Sequence, residues 1–183
     1  VDIRIEKILK AMNTSTLIFK SKSAPRVSIF GLLLLMLSFF TISSVNAQNI
    51  SELNQFLGTQ EASELGIDRD YLYGSQSIIY VTQGRIKLPE EGSARKADVR
   101  MSGISRLSEV DDALESVEIL QLKVSSDADK AIALPSGIEE QMPSLKVVFI
   151  LSQVPISQSD VQAMVSSIQD PAVKILYFYS QPV

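Results

Sequence analysis

Leu114-Glu-Ser-Val117-Glu-Ile-Leu120-Gln-Leu122, Met142-Pro-Ser-Leu145-Lys-Val-Val148-Phe-Ile150 and Asp170-Pro-Ala-Val173-Lys-Ile-Leu176-Tyr-Phe178 align with one another. Val117, Leu145 and Val173 follow at a constant 28 residues (145 − 117 and 173 − 145), each trailed by a charged residue, Glu118, Lys146 or Lys174. A fixed period of this size marks one supersecondary unit used more than once. Each stretch ends in β-branched, aromatic or aliphatic residues, which suit a pleated, half-buried surface, so each is read as a strand.

Working outward, the segments between these strands read as helices. Pro135 to Met142 gives one or two helical turns, and Ser157 or Ser159 caps a helix that carries Val161, Met164, Val165 and Ile168 on one face. A shorter unit precedes the first stretch. Ala97 to Ile104 alternates, with Val99 and Met101 on one side. Ser105 or Ser108 then opens a short helix bearing Leu107, Val110 and Leu114. Strands separated by short helical crossovers favour a parallel sheet with right-handed connections. Further upstream, Ser51 caps a short helix with Leu53, Phe56 and Leu57 on one side. Thr59 to Leu65 forms a second, stopped by Gly66, and Asp68 to Gly74 is a loop. Ser77–Thr82 and Arg85–Leu88 pair as a hairpin across Gln83-Gly84, and Pro89 to Lys96 is a polar linker. The expected architecture is α/β: a short parallel sheet with helices on one face and an N-terminal helix and hairpin cap.

The spacing Leu114-x-x-Val117-x-x-Leu120-x-Leu122, repeated at Met142, Leu145, Val148 and Ile150 and partly at Val173, Leu176 and Phe178, resembles that of leucine-rich repeats. Leu134-Pro-Ser-Gly-Ile, before Met142, is similar to the convex side of such a unit. The resemblance spans residues 97–183. It departs where the family places an asparagine that holds the turn after the strand: Ser125, Gln153 and Gln181 stand there. Leucine-rich repeats are interaction modules, so the resemblance implies protein binding and no chemistry.

Side chains alternate across a strand. Aligned by the 28-residue period, one face of the sheet stacks Leu120, Val148 and Leu176 beside Leu122, Ile150 and Phe178. The other stacks Ile119, Val147 and Ile175, then Gln121, Phe149 and Tyr177, then Lys123, Leu151 and Tyr179. That second face grows more apolar toward the C-terminus, which is unusual for a bare surface. Either the N-terminal region or a second copy covers it, or it receives a partner. Phe149, Leu151, Tyr177 and Tyr179 are therefore the candidate partner-binding residues.

The first 47 residues read as a leader. Lys20, Lys22 and Arg26 precede an uncharged run of 16 residues, Val27–Ile42, and Val45-Asn46-Ala47 supplies a small-x-small site. This is the pattern of a secretory signal peptide, and the apolar run is shorter than the ~20 residues a spanning helix needs. The Ala47-Gln48 junction resembles the ends of bacterial signal peptides. Residues 1–11, before Met12, match no targeting pattern and read as an extension of the gene. The expected organisation is thus a signal segment at 1–47, a cap segment at 48–96 and a repeat-like domain at 97–183, exported to the periplasm or beyond. Membrane contact is expected only through the signal segment, before its removal.

Removing 1–47 leaves 11 basic and 19 acidic side chains (17 − 6 and 21 − 2), a net −8. Such a charge repels phosphate backbones, so nucleic acid is not an expected partner. The expected partners are another protein or the chain itself. No histidine or cysteine is present. Histidine-based triads, thiol nucleophiles, disulfides and the usual zinc ligand sets are all excluded. No phosphate-cradling glycine motif occurs. Paired carboxylates do occur, at Asp68/Asp70, Glu90/Glu91, Asp111/Asp112, Asp127/Asp129 and Glu139/Glu140. Two carboxylates flanking a cleft can run glycoside hydrolysis, and Tyr71, Tyr73 and Tyr80 could stack on a sugar. On an acidic exported chain such groups more often face water. Asp68-x-Asp70 and Asp127-x-Asp129 lack the glycine and distal glutamate of a calcium loop. No catalytic, metal-binding or cofactor residue is assigned. The leading expectation is a non-enzymatic interaction or structural module, and the alternative a carbohydrate-binding or carboxylate-dependent hydrolytic domain.

Overall fold

A computed structural model of the chain describes residues 49–74 and 76–180; the leader expected at 1–47 lies outside them. Seven strands form one sheet in the order β1-β7-β6-β5-β4-β2-β3. They are β1 (Ile50–Glu52), β2 (Ile78–Val81), β3 (Ile86–Lys87), β4 (Lys96–Arg100), β5 (Ile119–Val124), β6 (Val147–Ser152) and β7 (Lys174–Tyr179). Every neighbouring pair is parallel except the β2–β3 hairpin. Among the described residues the helices are short: α1 (Leu53–Leu57), α2 (Gln60–Leu65), α3 (Arg69–Tyr73), α4 (Asp111–Leu114), α5 (Ile138–Gln141) and α6 (Gln158–Met164), with 3-10 segments at Met101–Val110 and Asp127–Ala131. The chain is α/β, built on a mostly parallel sheet.

From β4 to β7 each strand lies beside the one before it, and the crossovers pack on a single face. Leu107, Leu114, Ile138, Val161, Met164, Val165 and Ile168 join Val99, Leu120, Leu122, Val148, Ile150 and Ile175 in the larger core. Local chemistry places these crossovers. Ser157 and Asp160 form a capping box that starts α6, each side chain accepting from the other's backbone N–H. Glu139 accepts from the backbone N–H groups of Gln169 and Asp170 at 2.9 and 2.7 Å, which ties α5 to the turn before β7.

Helices also lie on the other face, for which cover by the N-terminal region was one of the expected alternatives. The chain leaves β1 at one edge of the sheet and reaches β2 near the far edge through α1–α3. Leu53, Phe56, Ala62, Ile67 and Leu72 bury Val147, Phe149 and Leu176 in a second core. Three expected elements differ. Ser51 does not cap α1 but lies in β1, an edge strand pairing with Ile175–Tyr177, and Glu52 caps the helix. The expected loop after Asp68 is α3, because the Asp68 carboxylate accepts from the Tyr71 N–H at 2.7 Å and nucleates a turn. The strand through Val99 stops at Arg100, and Met101 opens a 3-10 helix.

The largest correction concerns register. Val148 pairs with Ile175, Phe149 with Leu176, Ile150 with Tyr177 and Leu151 with Phe178. The 28-residue step holds from β5 to β6, where Leu120 pairs with Val148, but the next step is one residue shorter. In a strand, one residue of slip exchanges the faces. Leu176 and Phe178 therefore sit with Phe149 and Leu151, while Ile175 and Tyr177 join Val148 and Ile150.

Candidate binding face

The second face of the sheet is divided in two. One rung runs Lys87–Tyr80–Asp98–Gln121–Phe149–Leu176 across β3, β2, β4, β5, β6 and β7. The next runs Arg100–Lys123–Leu151–Phe178 across β4 to β7. On β6 and β7 these residues are apolar and lie under α1–α3. On β5, β4, β2 and β3 they are polar or aromatic, and several reach water.

Among the four candidates for partner binding, Phe149 is fully buried, with its ring edge-on to Tyr73 at 5.5 Å between centroids. Leu151 shares its face and is partly buried. Tyr177 and Tyr179 pair with Ile150 and Ser152 and so belong to the opposite face. The four do not form one surface.

The polar half brings Gln121 and Lys123, placed on this face by alternation, together with Lys87, Asp98 and Arg100, which the sequence did not single out. The Asp98 carboxylate, on a residue only 8% exposed, accepts from Lys123 Nζ at 2.6 Å and from Gln121 Nε2 at 3.3 Å. Gln121 Oε1 is buried without a partner among the described residues. Lys96, on the rung below, donates to the Leu72 carbonyl at 2.6 Å and sits 6.0 Å from the Tyr73 ring centroid. Burial lowers its pKa, and the Asp98 charge opposes that shift. Arg100, Lys87 and Tyr80 stand exposed above this base. Among the described residues, no ion pair or side-chain hydrogen bond engages Arg100 or Lys87.

At the N-terminal ends of the strands lies a separate charged band. Glu118 accepts from Arg95 at 2.7 Å, from the Tyr71 hydroxyl at 3.2 Å and from Lys146 at 3.3 Å. Lys174 pairs with Glu61 of α2. Glu118, Lys146 and Lys174, the recurring charged position of the aligned stretches, thus tie strand to strand and strand to helix.

Four of the ten paired carboxylates have structural roles, whereas Asp111, Asp112 and Glu140 line one hollow of about 370 Å³ together with Glu115. Asp68 caps α3, Asp129 accepts from the Ser125 and Ser126 N–H groups at 2.7 and 3.0 Å, and Glu139 holds the turn before β7. Asp127 pairs with Lys130. On the exposed half-face Asp98 is the one carboxylate among the described residues, and it is paired with Lys123, so it has no second carboxylate there with which to share acid–base work. Among the described residues no cluster of three metal-ligating side chains occurs, and no helix is long and apolar enough to cross a membrane. The sequence signal for this site was the alternation Lys96-x-Asp98-x-Arg100 and Gln121-x-Lys123. It becomes a site only once β4 and β5 are known to be neighbours in register. Compared with family models, with curated proteins and with solved structures, the chain matches none.

Proposed function

We propose that the chain is an exported, non-enzymatic interaction module of leucine-rich-repeat-like build. Residues 49–73 cap one half of its sheet face, and the other half receives a partner. The observation that carries this reading is the uncovered polar half-face. Arg100, Lys87 and Tyr80 are solvent-exposed side by side, over a base that Asp98, Gln121 and Lys123 fix in place. A base already fixed limits what binding must order to the free side chains themselves, which still give up rotamer freedom. Strand-by-strand progression from β4 to β7, with crossovers packed on one face, supports the repeat-like reading. The apolar run before Ala47 supports export.

Site-specific photocrosslinking in the producing cells tests the reading. A photoreactive side chain at position 80 should give a discrete adduct, and one at position 65, equally exposed on α2, should give none. Adducts at neither position would end the proposal. Export is tested separately, by an N-terminus at Gln48 in the secreted or periplasmic protein. A product that keeps Val27–Ile42 in the membrane would refute it.

A further inference from the structure

Resting on that reading, we propose that the polar half-face takes an extended acidic peptide segment, whose carboxylates are held by Arg100 and Lys87 with Tyr80 between them. The chemistry of the partner follows from charge. The described residues are strongly acidic overall, yet this half-face carries Lys87, Arg100 and Lys123 against a single carboxylate, Asp98. Lys123 already neutralises Asp98 at 2.6 Å. The excess is two exposed cations, and neither has a polar side-chain partner among the described residues. Even on a negative molecule a local positive patch attracts carboxylates at short range, and a short peptide carries less of the charge that the wider field repels than a polyphosphate chain does.

Spacing favours an extended segment. Lys87 and Arg100 stand on strands two places apart, about 10 Å, and two residues apart along the strand direction, about 7 Å. An extended peptide brings alternate side chains out at about 7 Å and every fourth at about twice that. Acidic residues at alternate positions can therefore reach both cations, given the length of the lysine and arginine arms. The guanidinium of Arg100 can fork onto a carboxylate with two parallel N–H donors, which the ammonium of Lys87 cannot do. Tyr80 occupies the strand between them, 42% exposed. Its ring offers the peptide an apolar bed.

The test uses the purified full chain and three blocked octapeptides that alternate threonine with glutamate, glutamine or lysine, with binding followed by fluorescence anisotropy at low salt. Only the glutamate peptide should bind, and added salt should weaken it. Arg100→Glu and Lys87→Glu should each weaken it by about tenfold or more, the loss of a charge-assisted hydrogen bond. Lys130→Glu, the same charge change away from this face, should not. Both positions are exposed, and an unchanged thermal midpoint shows that the variants fold. Equal binding by Arg100→Glu and Lys130→Glu overturns the proposal, as does equal binding of the glutamine peptide. The position-80 crosslink separates this inference from the reading beneath it. If adducts form but the glutamate peptide does not suppress them, the interaction face stands and the acidic peptide is wrong. An adduct of twice the chain's mass makes the occupant a second copy and likewise overturns the peptide.

Discussion

Val148 lies directly opposite Ile175, 27 residues on (175 − 148), so Phe149 faces Leu176 while Tyr177 turns to the other side of the sheet. Ile175 and Leu176 are adjacent in sequence, and each is almost wholly buried, one in each core. Ile175→Ala and Leu176→Ala should therefore both destabilise the protein, each by about 2–5 kcal/mol, the usual range for truncating a buried aliphatic side chain. Leu122→Ala and Ile150→Ala should fall in the same range. Urea unfolding of the four variants checks this. A loss under about 0.5 kcal/mol at either Ile175 or Leu176, typical of surface positions, would mean that β7 has only one buried face.

Phe149 measures the strength of the second core. It is fully buried beneath Leu53, Phe56 and Leu72, and it meets Tyr73 edge-on. Phe149→Ala should cost about 3–5 kcal/mol, and Tyr80→Ala, on the exposed half of the same face, within about 0.5 kcal/mol. The contrast between the two aromatics is the measurement. Similar losses would mean that the division of the face into covered and open halves is wrong.

Gly103 reports on the packing of the 3-10 segment against the end of β2. A Cβ there would lie 2.5 Å from the Thr82 carbonyl carbon and 2.8 Å from the Gln83 nitrogen. Both are backbone atoms and cannot swing aside. Gly103→Ala should destabilise by about 1–3 kcal/mol through overpacking. Gly84→Ala, with nothing within 4 Å of the added carbon, is the matched control. Indistinguishable thermal midpoints for the two variants would argue against this close approach.

The sequence revealed the strands better than their register. Leu120, Leu122, Val148 and Ile150 could be assigned to one face because β5 carries Gln121 and Lys123 on the other, and a polar alternate fixes the phase. β7 has no such marker. In Lys174-Ile-Leu-Tyr-Phe-Tyr179 both alternating sets are apolar or aromatic after the first residue, so either phase fits, and the 28-residue period chose the wrong one. α3 was missed because its start rests on one aspartate cap rather than on periodicity. β1 was missed because three residues carry no pattern, and its partners lie more than 120 positions away. The half-face was legible only in part: alternation placed Gln121 and Lys123 on it, but Tyr80, Lys87, Asp98 and Arg100 come from three other strands, and their proximity depends on sheet order.

The contact between Tyr71 and Glu118 should appear at both ends of the pH scale. Glu118 is held below its ordinary 4.5, first by the hydrogen bond from Arg95 and then by Lys146, with burial opposing. A carboxylate depressed in the folded state stabilises above its unfolded pKa, and that stability drains away as pH falls through the folded value. Tyr71 behaves in the opposite sense. Its pKa is pushed up to about 12, first by burial, then by the Glu118 charge and hydrogen bond, while Arg95 opposes. The folded protein then keeps a proton that the unfolded chain releases, so its contribution is constant below the ordinary 10.0 and falls between there and about 12. Glu118→Gln should flatten the acid limb below pH 4.5. It should also bring Tyr71 only part of the way back toward 10.0, since burial, the largest cause, remains. Tyr71→Phe should flatten the alkaline limb and leave the acid limb in place. Urea midpoints across pH, with tyrosinate absorbance alongside, read both ends. If the Glu118→Gln protein follows the wild-type acid limb point for point, Glu118 is not the linked group, and the charged band at the foot of the strands contributes nothing to the acid limb.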